Sequence, residues 1–284
     1  MLALGKLLRR APYDLVVFDE ASQIGLAHAF LIAPLGNRTL FAGDPKQLAP
    51  IAQSGDQRAQ HWLGRSVFAY MSPSSRSTVL LNEQSRMAEP ICRVISEVFY
   101  DRQLLLAKDA KRKASWTKYR HPAAIARMGS ANAFVQHVRE DGVWSRKYHG
   151  PIRYDSAGIV RHLVRELKTK EKDILVLTPF RSQCTLIRAL LRKAHCPRVI
   201  VATVHRAQGS ERHTVIFDPV QGQNRFLNTE EASRLINVAL SRAQAGLVLL
   251  FSNGDRKNPI LNQIANLIEG NSVPPAVRSE RSSH

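Results

Sequence analysis

Asp14-Leu15-Val16-Val17-Phe18-Asp19-Glu20-Ala21-Ser22-Gln23, DLVVFDEASQ, decides how the rest of this chain is read. Its apolar run is short, rich in valine and closed by two carboxylates, the pattern of a buried strand that ends in chemistry. Sheets of the α/β class place ligands beyond the carboxyl ends of their strands. An aspartate there can hold Mg²⁺, and an adjacent glutamate can orient an attacking water. The same pair can also merely open a loop or cap a helix, so the surrounding sequence has to decide.

The next strand pattern, RTLFAG, leads into Gly43-Asp44-Pro45-Lys46-Gln47-Leu48-Ala49-Pro50, where Gly and Pro force a tight turn. The Gln47 amide both donates and accepts, which suits contact with a γ-phosphate and its attacking water together. Further strand patterns are TVLL, AFVQHV, DILVLT, RVIVAT, HTVIFD and GLVLLF. Continuous apolar runs of this kind suit strands buried on both faces of a parallel sheet. Helical patterns run from Gly25 to Leu35, Glu89 to Tyr100, Ala157 to Lys168, Arg181 to Ala194, Glu230 to Ser241 and Ile260 to Ile268. The alternation predicts an α/β protein.

The loop-rich stretch Ser72-Pro73-Ser74-Ser75-Arg76-Ser77 reads as a domain boundary. It separates a first part, residues 1–76, from a second, 77–269. The tail 270–284, with Pro-Pro and Ser/Arg content, reads as disordered. The start, MLALGKLLRR, reads as an amphipathic helix rather than a signal peptide. The basic run Lys108 to Arg120 (KDAKRKASWTKYR) is poorly periodic and reads as a surface loop whose charge suits phosphate contact or a solvated face. Trp62 and Phe68 are expected to pack a linker helix rather than stack bases.

Lys plus Arg number 41 and Asp plus Glu 23, a formal net charge of +18 that points to a polyanionic partner. A basic ribosome-associated or membrane-surface protein would show the same sum. Cys92, Cys184 and Cys196 form no CxxC pair, so reduced thiols in the cytoplasm are expected, without a disulfide framework or zinc site. No apolar run approaches the roughly 20 residues of a membrane helix, so no membrane partner is expected.

Four further segments make the pattern specific: NEQSRM continuing to VISEVFYDRQL (82–104), VLTPFRSQ (176–183), VHRAQGSE (204–211) and NVALSRAQ (237–244). With DEASQ and GDPKQLAP they resemble, in order, the motifs of superfamily 1 helicases. The closest likeness is to the 5′-to-3′ branch that includes the nonsense-mediated-decay helicase. DEASQ is similar to Walker B, GDPKQLAP to motif III, NEQSRM to motif IV, VHRAQGSE to motif V and NVALSRAQ to motif VI. The resemblance covers most of the chain from about Asp14 to Phe251.

The resemblance implies a RecA-like P-loop NTPase fold, with parallel sheets flanked by helices, one partial and one near-complete domain, and ATP in the cleft between them. Asp19 would help hold Mg²⁺ and Glu20 would be the catalytic base. Gln47 would sense the γ-phosphate, and Arg86 and Arg242 would be arginine fingers from the second domain. Such a finger is worth about 10³ to 10⁵ in rate, because it meets charge developing in the transition state. Gln208, Gly209 and Glu211 would contact nucleotide, with Glu211 facing the ribose hydroxyls. Thr178, Pro179 and Thr203 would touch the backbone of a single strand of DNA or RNA.

The chain departs from the pattern in four places, one of them the absence of the motif between Walker A and Walker B that grips nucleic acid. No GxxxxGK[ST] occurs, so the first RecA-like domain is expected to lack its first strand, phosphate loop and following helix. His205 stands where an acidic residue is common, and Gln244 where a second arginine is usual. The phosphate loop supplies charge-assisted hydrogen bonds worth about 1.5–3 kcal/mol each. Micromolar binding totals only about 8 kcal/mol. ATP affinity is therefore expected at millimolar or weaker. Three readings stay open: part of an ATP-dependent helicase completed by an N-terminal segment or partner chain, an inactive module that binds nucleic acid or protein, and a decayed remnant. A module free of ATP chemistry has no physical need for Asp19, Glu20, Gln47, Arg86 and Arg242 together.

The isolated chain is predicted to show no ATPase stimulated by nucleic acid in a phosphate-release assay. Robust turnover abolished by Glu20→Gln would contradict this.

Overall fold

The computed structural model describes residues 12–71, 77–121, 131–167 and 170–272. The MLALGKLLRR segment lies outside the described residues, as does the tail beyond Ser272. The chain divides into two compact units, Met1–Leu81 and Asn82–His284.

The first unit holds strands β1 (Tyr13–Phe18) and β2 (Gly36–Phe41), with helices α1 (Leu26–Ile32) and α2 (Gln57–Leu63). The two strands pair in parallel, with Tyr13 opposite Gly36 and Phe18 opposite Phe41. α1 forms the crossover that parallel neighbours require. Asp56 starts α2, its carboxylate accepting from the Arg58 and Ala59 amides. Trp62 of α2 meets Phe30 of α1 edge-on at 6.0 Å. The expectation of strands buried on both faces fails here. Tyr13, Leu15 and Val17 on β1 and Leu40 on β2 are about half exposed. Tyr13, Leu15 and Val17 alternate along β1 and so share one face, the face left exposed, while Val16 and Phe18 point to the more buried one.

The second unit opens with β3 (Glu83–Gln84), α3 (Glu89–Phe99), β4 (Leu105–Leu106), α4 (Lys108–Arg112) and α5 (Ala114–Tyr119). There follow β5 (Ala133–His137), β6 (Val143–Ser145), β7 (Gly150–Ile152), α6 (Tyr154–Glu166), β8 (Ile174–Thr178) and α7 (Arg181–Lys193). It closes with β9 (Ile200–Thr203), β10 (Arg212–Phe217), α8 (Glu230–Leu240), β11 (Ala243–Phe251) and α9 (Pro259–Ser272). Five strands form one parallel sheet in the order β5-β11-β10-β8-β9.

In the central strands β8, β10 and β11 the continuous apolar runs are buried on both faces, as expected, whereas the edge strands β5 and β9 are buried on alternate residues. Ile174 and Val176 of β8, Ile216 of β10, and Val248 and Leu250 of β11 pack in one core with Ala157, Val160 and Val164 of α6 and Ile187 and Leu191 of α7. The alternate residues Leu175, Leu177, Val215, Phe217, Leu247 and Leu249 are equally buried, because helices α3 and α8 contact the central strands too. Each such side chain contributes about 1.5–3 kcal/mol by leaving water. The α/β class and the parallel sheet flanked by helices therefore hold.

The structure differs from the sequence pattern at three places. TVLL (78–81) does not form a strand, and Val79, Leu80 and Leu81 are 82%, 66% and 87% exposed. The run Lys108 to Arg120 is not a loop but helices α4 and α5, anchored by buried Ala110 and by side-chain bonds to residues 85 and 86. The start of the tail is not disordered, since α9 continues through Gly270 to Ser272.

A fully buried ionic network joins the sheet to its helices. Arg153, just before α6, gives Nη2 to Asp218 at 2.6 Å and Nη1 to Asp255 at 2.7 Å, and all three are 0% exposed. Burial opposes the Arg153 charge, but Asp218 and Asp255 more than offset it and hold its pKa above the ordinary value. Asp218 also accepts from Ser156 Oγ, Gln183 Nε2 and the Val220 amide; Asp255 accepts from the Gly222 and Ser252 amides.

Removing one partner of a buried pair strands the others without compensation. Arg153→Ala should lower unfolding stability in urea titration by about 3–5 kcal/mol. A loss below about 1 kcal/mol would mean that the network is incidental.

Candidate functional site

In the first unit the parallel register delivers two loops to one edge. Phe18 and Phe41 stack at 4.8 Å, and the chain beyond each strand stays paired: Ala42 N donates to Phe18 O, and Ala21 N to Ala42 O, both at 2.8 Å. Asp19-Glu20 and Gly43 to Gln47 therefore leave the same carboxyl edge side by side. Gly43 is needed for this approach, since a Cβ there would lie 2.8 Å from the Ala21 amide nitrogen. Glu20 takes the left-handed conformation at φ 52°, which is costly for a residue with a Cβ. Asp19 Oδ1 accepts the Glu20 amide at 2.9 Å. Gln23 Nε2 donates to Glu20 Oε2 at 3.4 Å. Asp44 accepts the Lys46 amide through Oδ1 at 2.8 Å and Gln47 Nε2 through Oδ2 at 3.0 Å.

Both Asp19 and Glu20 are exposed, offering hard carboxylate oxygens of the kind Mg²⁺ takes alongside water and phosphate. Only one oxygen of Asp19 is engaged by the Glu20 amide, so the residue fits a magnesium ligand. Among the described residues, no group of three His, Cys, Asp or Glu gathers to hold a metal by itself.

In the second unit, three distant segments converge. Arg86 Nε donates to Glu211 Oε2 at 2.5 Å, and Gln244 Nε2 to Glu211 Oε1 at 2.7 Å. Gly209, two residues before Glu211, has φ 76° with open space around it, a backbone state that glycine adopts without strain. Gln208 Nε2 is buried without a hydrogen-bond partner among the described residues. Arg242 is 4% exposed, its Nε donating to the Val238 carbonyl at 3.1 Å. The Arg86–Glu211 side chains are about 40% exposed, where an ion pair is worth only about 0–1 kcal/mol. A pair that weak can be exchanged for a phosphate or a hydroxyl.

Thr178 and Thr203 end β8 and β9 and are register partners, so the structure brings them together at the carboxyl edge of the sheet. Thr178 is fully buried and Thr203 nearly so, while Pro179 is half-buried. Trp116 and Arg120 give no signal in the sequence beyond the charge of their run, yet both bond the turn that carries Arg86. Gln244 departs from the usual arginine, but its amide still donates to Glu211.

These geometries belong to a recognisable class. Residues 63–254 match a family model described as an AAA domain, and the chain belongs to that family as a superfamily 1 helicase-like domain. It is 27% identical over 281 residues to the DNA polymerase alpha-associated DNA helicase A of Schizosaccharomyces pombe, covering 94% of this chain and 41% of that one. It is 27% identical over 254 residues to an uncharacterized ATP-dependent helicase of Methanocaldococcus jannaschii, covering 88% and 37%. It is 28% identical over 259 residues to the DNA-binding protein SMUBP-2 of Rattus norvegicus, covering 86% and 25%. The chain thus spans 41% or less of the length of these relatives.

His213 on β10 sits under the Tyr119 ring at 5.3 Å, and burial lowers its pKa despite the attraction of Asp173. The unfolded chain, with an ordinary value of about 6.5, binds this proton more readily than the folded one. Stability should therefore be complete above about pH 6.5 and fall as pH drops toward the lower folded value. Denaturant titrations at several pH values should show this decline, and His213→Gln should flatten it.

Proposed function

We propose that this chain forms part of an ATP-dependent helicase or translocase that moves on a single strand of DNA or RNA. The convergence of Arg86, Glu211 and Gln244 carries the reading. Three segments far apart in the chain deliver one cation, one carboxylate and one amide to a point, as recognition of a nucleotide requires.

In the first unit, Asp19 would ligate Mg²⁺, which supplies charge neutralisation at phosphate oxygens. Glu20 would accept a proton from the attacking water. Gln47, held by Asp44, would orient that water through its amide. In the second unit, Arg86 would release Glu211 and turn its guanidinium to phosphoryl oxygens. Glu211 would then be free for ribose hydroxyls, with Gln208 and Gly209 beside it. Arg242 would act as a second arginine on the phosphates. Thr178, Pro179 and Thr203 would meet the strand backbone, consistent with the charge of +18. Among the described residues no helix is long and apolar enough to cross a membrane, and the three cysteines are free. Burial lifts Cys184 to about 11, so that thiol is inert. Free thiols suit a cytoplasmic setting.

Binding of a fluorescent single-stranded oligonucleotide, followed by anisotropy, tests the reading. For about three phosphate contacts, affinity should fall about 20-fold between 50 and 200 mM salt. An affinity indifferent to salt would remove the nucleic-acid role. In equilibrium dialysis with MgATP, Arg86→Ala should weaken binding about tenfold or more. Identical binding by variant and parent would remove Arg86 from the nucleotide site.

A further inference from the structure

We propose that Trp116 and Arg120 are positioning residues for Arg86. The functional meaning of this rests on the reading of Arg86 as a nucleotide-facing cation; the contacts stand without it.

Arg86 lies in an irregular turn between β3 and α3, where no strand ladder takes up the carbonyls of residues 85 and 86. Side chains from α5 and its end do so instead. Trp116 Nε1 donates to the Ser85 carbonyl at 2.6 Å, and Arg120 Nη2 to the same oxygen at 3.2 Å. Arg120 Nε donates to the Arg86 carbonyl itself at 2.8 Å. The Arg120 guanidinium is in turn fixed over two rings, 5.1 Å from Trp116 and 5.2 Å from Tyr119. Asn132 Nδ2 completes the chain of support, donating to the Arg120 carbonyl at 2.8 Å and to the Ala245 carbonyl of β11 at 2.6 Å. Arg86 is thereby tied at its backbone to the sheet and at its head to Glu211.

The basic run therefore does not act as one phosphate-seeking surface. Two Arg120 nitrogens are spent on the chain, and Lys111 pairs with Glu89 at 2.7 Å. Arginine has long rotamer freedom, and its planar fork is useful only where its root is fixed. Displacing a reacting group by about 1 Å can cost about 10² in rate, which is the scale on which a loosened turn would act.

The test uses the whole chain labelled with ¹⁵N-arginine. The Arg86 Nε–H signal is assigned by its loss in Arg86→Lys, and its exchange with solvent is measured. Trp116→Phe keeps the ring and removes the donor; Arg120→Lys keeps the charge and removes the fork. Both should raise the Arg86 exchange rate about tenfold, as Glu211→Gln should by freeing the head. Lys118→Gln, on the same helix, should leave it unchanged. Exchange within twofold of the parent in both Trp116→Phe and Arg120→Lys would overturn the proposal. If one variant fails to fold, the other decides. Titration of the parent with MgATP, carried well beyond the millimolar affinity expected of this chain, is read separately. A shift of the Arg86 signal supports the nucleotide reading, while no shift beside clear effects of Trp116→Phe leaves the positioning role standing and overturns that reading.

Discussion

The second unit depends on one buried cation shared by two buried carboxylates. Arg153 faces Asp218 and Asp255, all without solvent, and the three charges sum to minus one. Such a group survives only because its remaining lone pairs are met by hydrogen-bond donors. The donors come from Ser156 of α6, Gln183 of α7 and the turns after β10 and β11. The network thus ties the carboxyl ends of two central strands to both helices of one face. Val220, a branched residue at φ 67°, is fully buried and gives its amide to Asp218. A strained backbone of this kind persists only where its surroundings over-determine it.

Against that fixed frame the chemistry is held loosely. Arg86 and Glu211 meet at short distance but in half-exposed surroundings, so their attraction is screened. The contrast has a physical use. Buried ions without an alternative partner cannot rearrange cheaply, whereas exposed ones exchange partners at little cost. The frame keeps the strand ends in register, and the pair can open without disturbing the sheet. The first unit follows the same division. The Phe18–Phe41 stack and the close approach at Gly43 fix its edge, while Asp19 and Glu20 stay exposed at it.

Much of this was legible in the chain. Apolar runs such as DILVLT and GLVLLF located central strands because burial on both faces leaves no room for polar alternation. TVLL carries the same composition and is no strand, since composition alone does not bury a segment and Val79, Leu80 and Leu81 stay largely exposed. The run Lys108 to Arg120 looked like solvated charge, since periodicity in helices of five and six residues is too short to register. Arg153 gave no signal either: a lone arginine before a helix is ordinary until two aspartates 65 and 102 positions away turn toward it.

The sequence by itself determined the class of sheet, the order of its motif segments and the residue types able to serve a nucleotide. Those follow from local pattern, because strand burial and turn chemistry act over a few residues. Only the tertiary structure decided which of those residues meet. Glu211 is claimed by Arg86 and Gln244, Arg120 turns from solvent to the Arg86 carbonyl, and Thr178 lies beside Thr203. Each of these depends on how parallel strands from distant segments fall into register, which no window of neighbouring residues encodes.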